Sequence, residues 1–196
     1  MMQSDVILIR TPRFGDERGW FQEVWSRQRM AAFGLDYDFV QDNQSLSVQP
    51  GVVRGLHFQR PPMAQAKLVR CVRGAILDVV VDLRRGAPTF GHSYTVRLDD
   101  QSGEQLLVPP HFAHGFMTLM PHTEVAYKVT APYAPDHEGG VAWDDAALSI
   151  DWPFPRDQVQ LSERDRLWPR LAELDTPFSG QGPSQLRRLD LTCAVA

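Results

Sequence analysis

Long apolar runs are missing from this sequence. The longest apolar stretch near the start, Val6 to Ile9, covers four residues. A spanning helix needs about 20 and a secretory leader a longer apolar core, so neither is expected. Cysteine is almost absent: Cys71 and Cys193 are the two in 196 residues. That is too few for a disulfide framework, and their separation is not a metal-ligand spacing. Free thiols in a reducing cytoplasm are the expectation. A basic excess is also lacking. Lys and Arg total 20 against 24 Asp and Glu, a net charge of −4. No nucleic-acid or membrane-surface partner is expected, and any anionic ligand must be held by a few placed cations. There is no internal repeat.

What remains is ordinary globular material. With 43% hydrophobic residues the chain can fill one sizeable core. Strand signals dominate its middle. Lys67 to Arg73 (KLVRCVR) and Ile76 to Leu83 (ILDVVVDL) are rich in β-branched residues and bounded by glycine or polar residues. Ser93 to Leu98 alternates, and Gln105 to Val108 is a shorter run. Thr123 to Val129 (TEVAYKV) puts Val125, Tyr127 and Val129 on one face. Turn clusters separate these runs at Arg84 to Pro88, Asp99 to Gly103 and Ala131-Pro132. Short strands so spaced predict a barrel or sandwich, not a βαβ fold. Ser26 is placed to cap a helix over Ser26 to Phe33. Ser162, leading SERD, fits a capping box and predicts a second helix. The Gly- and Ser-rich stretch after Pro177 reads as a loosely held extension, 177–196, beyond a single domain over 1–176.

Four clusters carry candidate chemistry. GVVRGLHFQ, Gly51 to Gln59, sets Arg54 three residues before His57 across a glycine. A turn at Gly55 would bring both to one site. PPHFAHGF, Pro109 to Phe116, follows Gly103 at a spacing close to the second motif of cupin barrels. Metal cupins add two closely spaced histidines and a glutamate. Here only His57 precedes, so the three protein ligands of a metal site are not assembled. Tyr127-Lys128 lies in a predicted strand, followed by Tyr133 and Glu138. LSERD, Leu161 to Asp165, offers a carboxylate that could orient a histidine. Plainer readings exist for each: a structural histidine, a core tyrosine, a helix cap. The pattern by itself leaves both kinds of reading open.

Taken in order, these pieces resemble the dTDP-4-dehydrorhamnose 3,5-epimerases. The resemblance runs from Asp5 to about Leu174. It rests on GDERGWFQE (15–23), VQDN (40–43), VRGLHFQ (53–59), AQAKLVR (64–70) and GAILDVVVDLR (74–84). APTFG (87–91), FAHGF (112–116), Tyr127-Lys128, WDD (143–145) and DWPF (151–154) continue it. It implies a mainly β fold, a cupin-like antiparallel jelly-roll β-barrel with short flanking helices. It further implies a homodimer in which the segment around Arg18 and Glu23 reaches the partner's site, with no cofactor and no catalytic metal. The implied substrate is dTDP-4-keto-6-deoxy-D-glucose. The implied product, dTDP-4-keto-L-rhamnose, belongs to dTDP-L-rhamnose biosynthesis. The family's base falls on His57, its carboxylate partner on Asp165, its acid on Tyr127, and the lysine near the sugar carbonyl on Lys67. Arg18, Glu23, Gln41, Asn43, Arg54, His114, Glu138 and Arg164 match substrate-contacting positions. Tyr133 matches an aromatic that stacks on the thymine. Two positions depart from the pattern: His111 replaces a usual glycine, and Arg164 stands where lysine is common.

The chemistry agrees with those residue types. The hydrogens at C3 and C5 are acidic because both carbons flank the C4 ketone. Inversion removes a proton from one face and returns one to the other, which needs two groups. Histidine suits the base because it titrates near neutrality, and tyrosine suits the acid because it stays protonated there. The rival readings are a mono-epimerase acting at C3 or C5 alone, a metal-dependent cupin, and a non-catalytic module that binds a nucleotide sugar.

Overall fold

The alternating segments become strands because each buries one row of side chains. The computed structural model describes residues 5–192. In chain order these form β1 (Val6–Arg10), β2 (Arg13–Asp16), β3 (Gly19–Gln22), helix α1 (Arg27–Ala32), β4 (Gln41–Ser47), β5 (Val53–Gln59) and β6 (Lys67–Arg73). Then come β7 (Ala75–Asp82), β8 (Ser93–Asp99), β9 (Gln105–Val108), β10 (Phe112–Thr118), β11 (Thr123–Val129), β12 (Glu138–Gly140) and β13 (Leu186–Asp190). One sheet has the order β13-β1-β9-β6-β11-β4 and the other β12-β5-β10-β7-β8, while β2 and β3 make a separate hairpin. The result is the mainly β, cupin-like jelly roll that the sequence implies, a flattened barrel of two sheets. Among the described strands the pairings are antiparallel except that of β13 with β1, and isolated bridges join Val52 to Gln160 and Arg85 to Ser179 in parallel.

The core follows from the period of two. Val69, Cys71, Leu106, Val108 and Val125 of the first sheet meet Ile76, Val80, Val96, Leu98, Phe112 and Phe116 of the second. The outward rows are covered too. Met30 of α1 and Leu35 pack on Ile7, Ile9, Leu68 and Leu107. Leu148, Leu171 and Leu174 pack on Leu56, Val79 and Val81. Strand β7 is therefore buried on both faces, which is why its sequence reads as a nearly unbroken apolar run. Ser26 caps α1 by accepting a hydrogen bond from the Arg29 backbone N–H. Cys71 is a buried free thiol. Burial, with Asp100 next, pushes its pKa up to about 12. Cys193 lies outside the described residues. No helix among the described residues is long and apolar enough to cross a membrane.

Two expectations are corrected. No helix starts at Ser162. Its hydroxyl accepts from the Asp165 backbone N–H at 3.1 Å, as a cap would, but the chain makes only a turn. Leu167 is 81% exposed and offers no buried stripe, and Pro169 biases Trp168 away from helical backbone. The described part of the segment after Pro177 is not loosely held either. Phe178 is 4% exposed and belongs to a core cluster, and Leu191 is fully buried. Ser184 donates to Asp82 and meets the Tyr94 hydroxyl at 2.7 Å. The edge of β1 offers unpaired backbone groups, and β13 takes them up in parallel register from Val6↔Leu186 to Arg10↔Asp190. Truncating a buried phenylalanine costs about 3–5 kcal/mol. Phe178→Ala should thus lower the urea-unfolding free energy by about 3 kcal/mol. A change within about 0.5 kcal/mol, as at an ordinary surface position, would mean the segment is not part of the cooperative core.

Candidate active site

The site begins where β5 and β10 approach too closely for side chains. Gly55 has φ +139°, and a Cβ there would lie 2.6 Å from the Gly115 Cα. Only glycine tolerates that backbone and that contact. The β5–β10 register shifts at the same place, between His114 and Phe116. As a result Arg54 and His57 both face one cavity, and His57 stands directly across from His114. Gly55 thus does what the spacing of Arg54 and His57 requires.

Behind His57 stands Asp165. Its Oδ1 is 2.5 Å from His57 Nε2. Asp165 is 5% exposed, and Trp168 Nε1 donates to the same oxygen at 3.3 Å. Burial pushes the Asp165 carboxyl up, but the His57 hydrogen bond and charge, helped by Ser162 and Trp168, outweigh it and hold the pKa below the usual value. With an ionised carboxylate against Nε2, the neutral ring carries its hydrogen there and leaves Nδ1 as acceptor. The Trp168 ring also meets the imidazole edge to face, 5.9 Å between centroids, and fixes its plane.

The opposite wall comes from the other sheet. Lys67 on β6 and Tyr127 on β11 point inward, and Gln41, Asn43 and Ser45 of β4 continue the same wall. Burial lowers the Lys67 pKa to about 8, opposed by Asp78 and then Glu138. Burial also raises the Tyr127 hydroxyl, so it stays protonated well past neutrality. At the rim, Arg164 pairs with Glu138 and donates to the Tyr133 hydroxyl at 3.0 Å. Gln41 accepts from the Tyr133 backbone N–H at 3.1 Å. The cavity measures about 380 Å³, with an adjoining one of about 220 Å³ that shares His57, Lys67 and Tyr127. A larger cavity of about 580 Å³ lies on the far side of Asp165. There Asp144 already pairs with Arg156 and Arg170, each at 2.9 Å, so its main charges satisfy each other.

The fold therefore gathers His57, Asp165, Tyr127, Lys67, Arg54, His114, Gln41, Asn43, Tyr133, Glu138 and Arg164 around one space. Arg18 and Glu23 are not among them. Arg18 is at the β2–β3 turn, paired with Asp16, and Glu23 pairs with Arg29 at 3.1 Å. His111 sits before β10 with its Nδ1 buried and unpartnered, against the Phe178 ring. Burial, then Arg84, lowers its pKa. Sequence reasoning missed Trp168 and Asp78, the latter bonded to His114 Nε2 at 2.9 Å. The one signal for Asp78 was an acid inside the apolar run ILDVVVDL. No group of three or more His, Cys, Asp or Glu among the described residues is arranged to hold a metal ion.

A histidine–carboxylate pair facing a buried tyrosine and lysine, inside a jelly roll, is a constellation for moving protons on carbon. A family model described as dTDP-4-dehydrorhamnose 3,5-epimerase matches residues 2–173. The chain belongs to that family. Among its relatives, the dTDP-4-dehydrorhamnose 3,5-epimerase of Sinorhizobium fredii is 52% identical over 179 residues, covering 89% of each chain. The crystal structure of the Bacillus anthracis epimerase, with TDP and PPi bound, has a TM-score of 0.81 at 47% identity. That likeness covers 83% of this chain and 92% of that one. The dTDP-6-deoxy-D-glucose-3,5-epimerase of Legionella pneumophila, in complex with dTDP-4-keto-L-rhamnose, has a TM-score of 0.80 at 39% identity. It covers 87% of this chain and 95% of its own. The family match stops at residue 173, so the segment carrying Phe178 and β13 lies beyond it.

Proposed function

We propose that this chain is a dTDP-4-dehydrorhamnose 3,5-epimerase, an isomerase converting dTDP-4-keto-6-deoxy-D-glucose to dTDP-4-keto-L-rhamnose in dTDP-L-rhamnose biosynthesis. The observation that carries the mechanism is topological. His57 comes from one sheet and Tyr127 from the other, so any ring held between them meets a base on one side and an acid on the other.

His57 Nδ1 takes the hydrogen from C3 or C5, and Asp165 stabilises the imidazolium that forms. Electrons move onto the C4 oxygen. Lys67 and His114, which line the same cavity, stabilise that enolate; a placed donor in a dry site contributes a few kcal/mol, about 3–4 in favourable cases. Tyr127 returns a proton to the opposite face of the carbon, which inverts it. Arg54 and Arg164 suit the diphosphate, because a guanidinium bonds two oxygens at once. Tyr133, half exposed at the rim, suits the flat thymine. No cofactor enters this sequence of steps.

A homodimer is part of the proposal. Phe14, Trp20 and Phe21 of the β2–β3 hairpin are largely exposed, as are Val40, Leu46 and Val48 along the β4 edge. Apolar surface of that kind favours burial against a second copy, and Arg18 and Glu23 on or beside the hairpin would then reach the partner's cavity. Residence in the cytoplasm is also proposed, supported by the free thiol of Cys71.

Proton NMR of the substrate in D2O tests the function. Deuterium should enter at both C3 and C5 as product forms. Exchange at one carbon alone would mark a mono-epimerase, and none at either would reject the reading. Folded His57→Ala should lose exchange at both carbons by about 10²–10⁴-fold. The pH profile of kcat/KM should fall as pH rises through about 8, where Lys67 gives up its charge. Sedimentation should show a dimer that Trp20→Ser with Phe21→Ser weakens. A monomer with full activity would refute the assembly.

A further inference from the structure

The segment that carries Tyr133 has little of its own to hold it. Residues 131–134 form no helix or strand, and Pro132 and Pro135 take away two backbone donors. The place of Tyr133 at the rim must therefore be imposed by neighbours. Three glutamine side chains do this. Gln65 donates to the Ala131 carbonyl at 2.7 Å and to that of Pro132 at 3.3 Å. Gln41 accepts from the Tyr133 backbone N–H at 3.1 Å. Gln59 donates to the Pro132 carbonyl at 3.1 Å and accepts from the Ala134 N–H at 2.8 Å, so it grips the chain on both sides of Tyr133.

Gln59 is the one of the three that ties this segment to the reacting end. It is 4% exposed, and its second amide hydrogen goes to the Met63 carbonyl at 2.7 Å. Two carbonyls at Nε2 and one N–H at Oε1 fix which way the amide points and leave it no hydrogen for a ligand. On β5 it lies two residues beyond His57, and the strand period puts the two on one face. Both line the adjoining cavity with Tyr133. Across the β5–β12 pair Gln59 stands opposite Glu138, whose carboxylate accepts from the Tyr133 hydroxyl at 3.0 Å. The backbone of Tyr133 is thus bound to the strand of His57 directly, and its hydroxyl to the neighbouring strand.

We propose that Gln59 is a positioning residue for nucleotide recognition: its side-chain amide sets the place of Tyr133 relative to His57, so that a nucleoside diphosphate seated at the rim brings its sugar to the base. This rests on the epimerase reading above. Gln59 does not touch substrate. It acts through Tyr133, by ordering the 131–134 segment before the ligand arrives, so that binding does not carry the cost of ordering it.

The test uses Gln59→Met, which keeps the length of the side chain and removes all three bonds. The Kd for dTDP and the KM for the nucleotide sugar should both rise about 10-fold, while kcat changes by less than about threefold. Tyr133→Ala separates a positioning role from a merely structural one. Once that ring is gone, adding Gln59→Met should weaken dTDP binding by less than about twofold more, because the two side chains act as a unit. An unchanged dTDP affinity in folded Gln59→Met, or fully additive losses in the double variant, would overturn the proposal and leave Gln59 a core residue. If Gln59→Met does not fold, hydrogen exchange on the wild-type protein decides. The Ala134 amide and the Gln59 side-chain amide should be protected, and saturating dTDP should slow both further. Exchange at these groups that dTDP leaves unchanged overturns the assignment. The dTDP titration and the exchange measurement need no turnover. Failure of the epimerase reading would appear separately, as wild-type protein that binds dTDP but exchanges neither C3 nor C5 hydrogen.

Discussion

Asp165 is an ion with 5% of its surface open to solvent, and a carboxylate in that position is stable only with partners. Its main partner is His57 at 2.5 Å, and much of the neighbourhood serves that contact. Ser162 holds the Asp165 backbone, Trp168 donates to the same oxygen, and Gly140 leaves room for the Trp168 ring. On the other side, Gly55 and Gly115 let β5 and β10 close up so that His57 reaches the cavity. The bond does two jobs with one geometry. It settles the carboxylate in the fold, and it sets the imidazole tautomer so that one nitrogen can accept a proton.

The second constraint is the sandwich itself. A jelly roll normally fills the space between its sheets with apolar rows, and here Val69, Cys71, Ile76, Val80 and Phe112 do so over much of the interior. Around the cavity the same rows turn polar: Val69 and Cys71 give way to Lys67, His114 stands between Phe112 and Phe116, and Tyr127 follows Val125. The cavity is thus a stretch of core in which the strand period is kept and the side chains are exchanged. Burial then tunes the groups without added machinery. It brings Lys67 down to about 8 and raises Tyr127, so that one is a labile cation and the other a retained acid.

Much of this was legible in the sequence wherever local pattern decides. The alternation of TEVAYKV placed Tyr127 on the face of Val125, and Ser26 marked the start of α1. The turn expected at Gly55 is not there: β5 runs straight through it, and its φ of +139° with the register shift on β10 brings Arg54 and His57 to the cavity instead. What could not be read depended on distant contacts. His57 and Asp165 are 108 positions apart and only the family resemblance paired them, and LSERD looks the same as a helix cap until Leu167 proves exposed and Pro169 close by. Tail residues rich in glycine and serine gave no sign that β1 had an open edge for LRRLD to join. Asp78 was visible as an acid in an apolar run, but nothing local tells whether such a side chain faces solvent, a finished ion pair like that of Asp82 with Arg84, or a reaction cavity.

In the proposed mechanism the two sheets divide the labour: His57 removes the proton and Tyr127 returns one. Tyr127→Phe tests it most directly, because it removes one hydroxyl and leaves His57, Asp165 and Lys67 in place. The measurement is the ratio of deuterium exchange to net inversion at C3 and C5, followed by proton NMR in D2O on folded protein. If the account is right, exchange persists while inversion falls by about 10²–10⁴-fold, since abstraction continues but the far face has lost its donor. Inversion at the wild-type rate in that variant would contradict it and assign the second proton to another group.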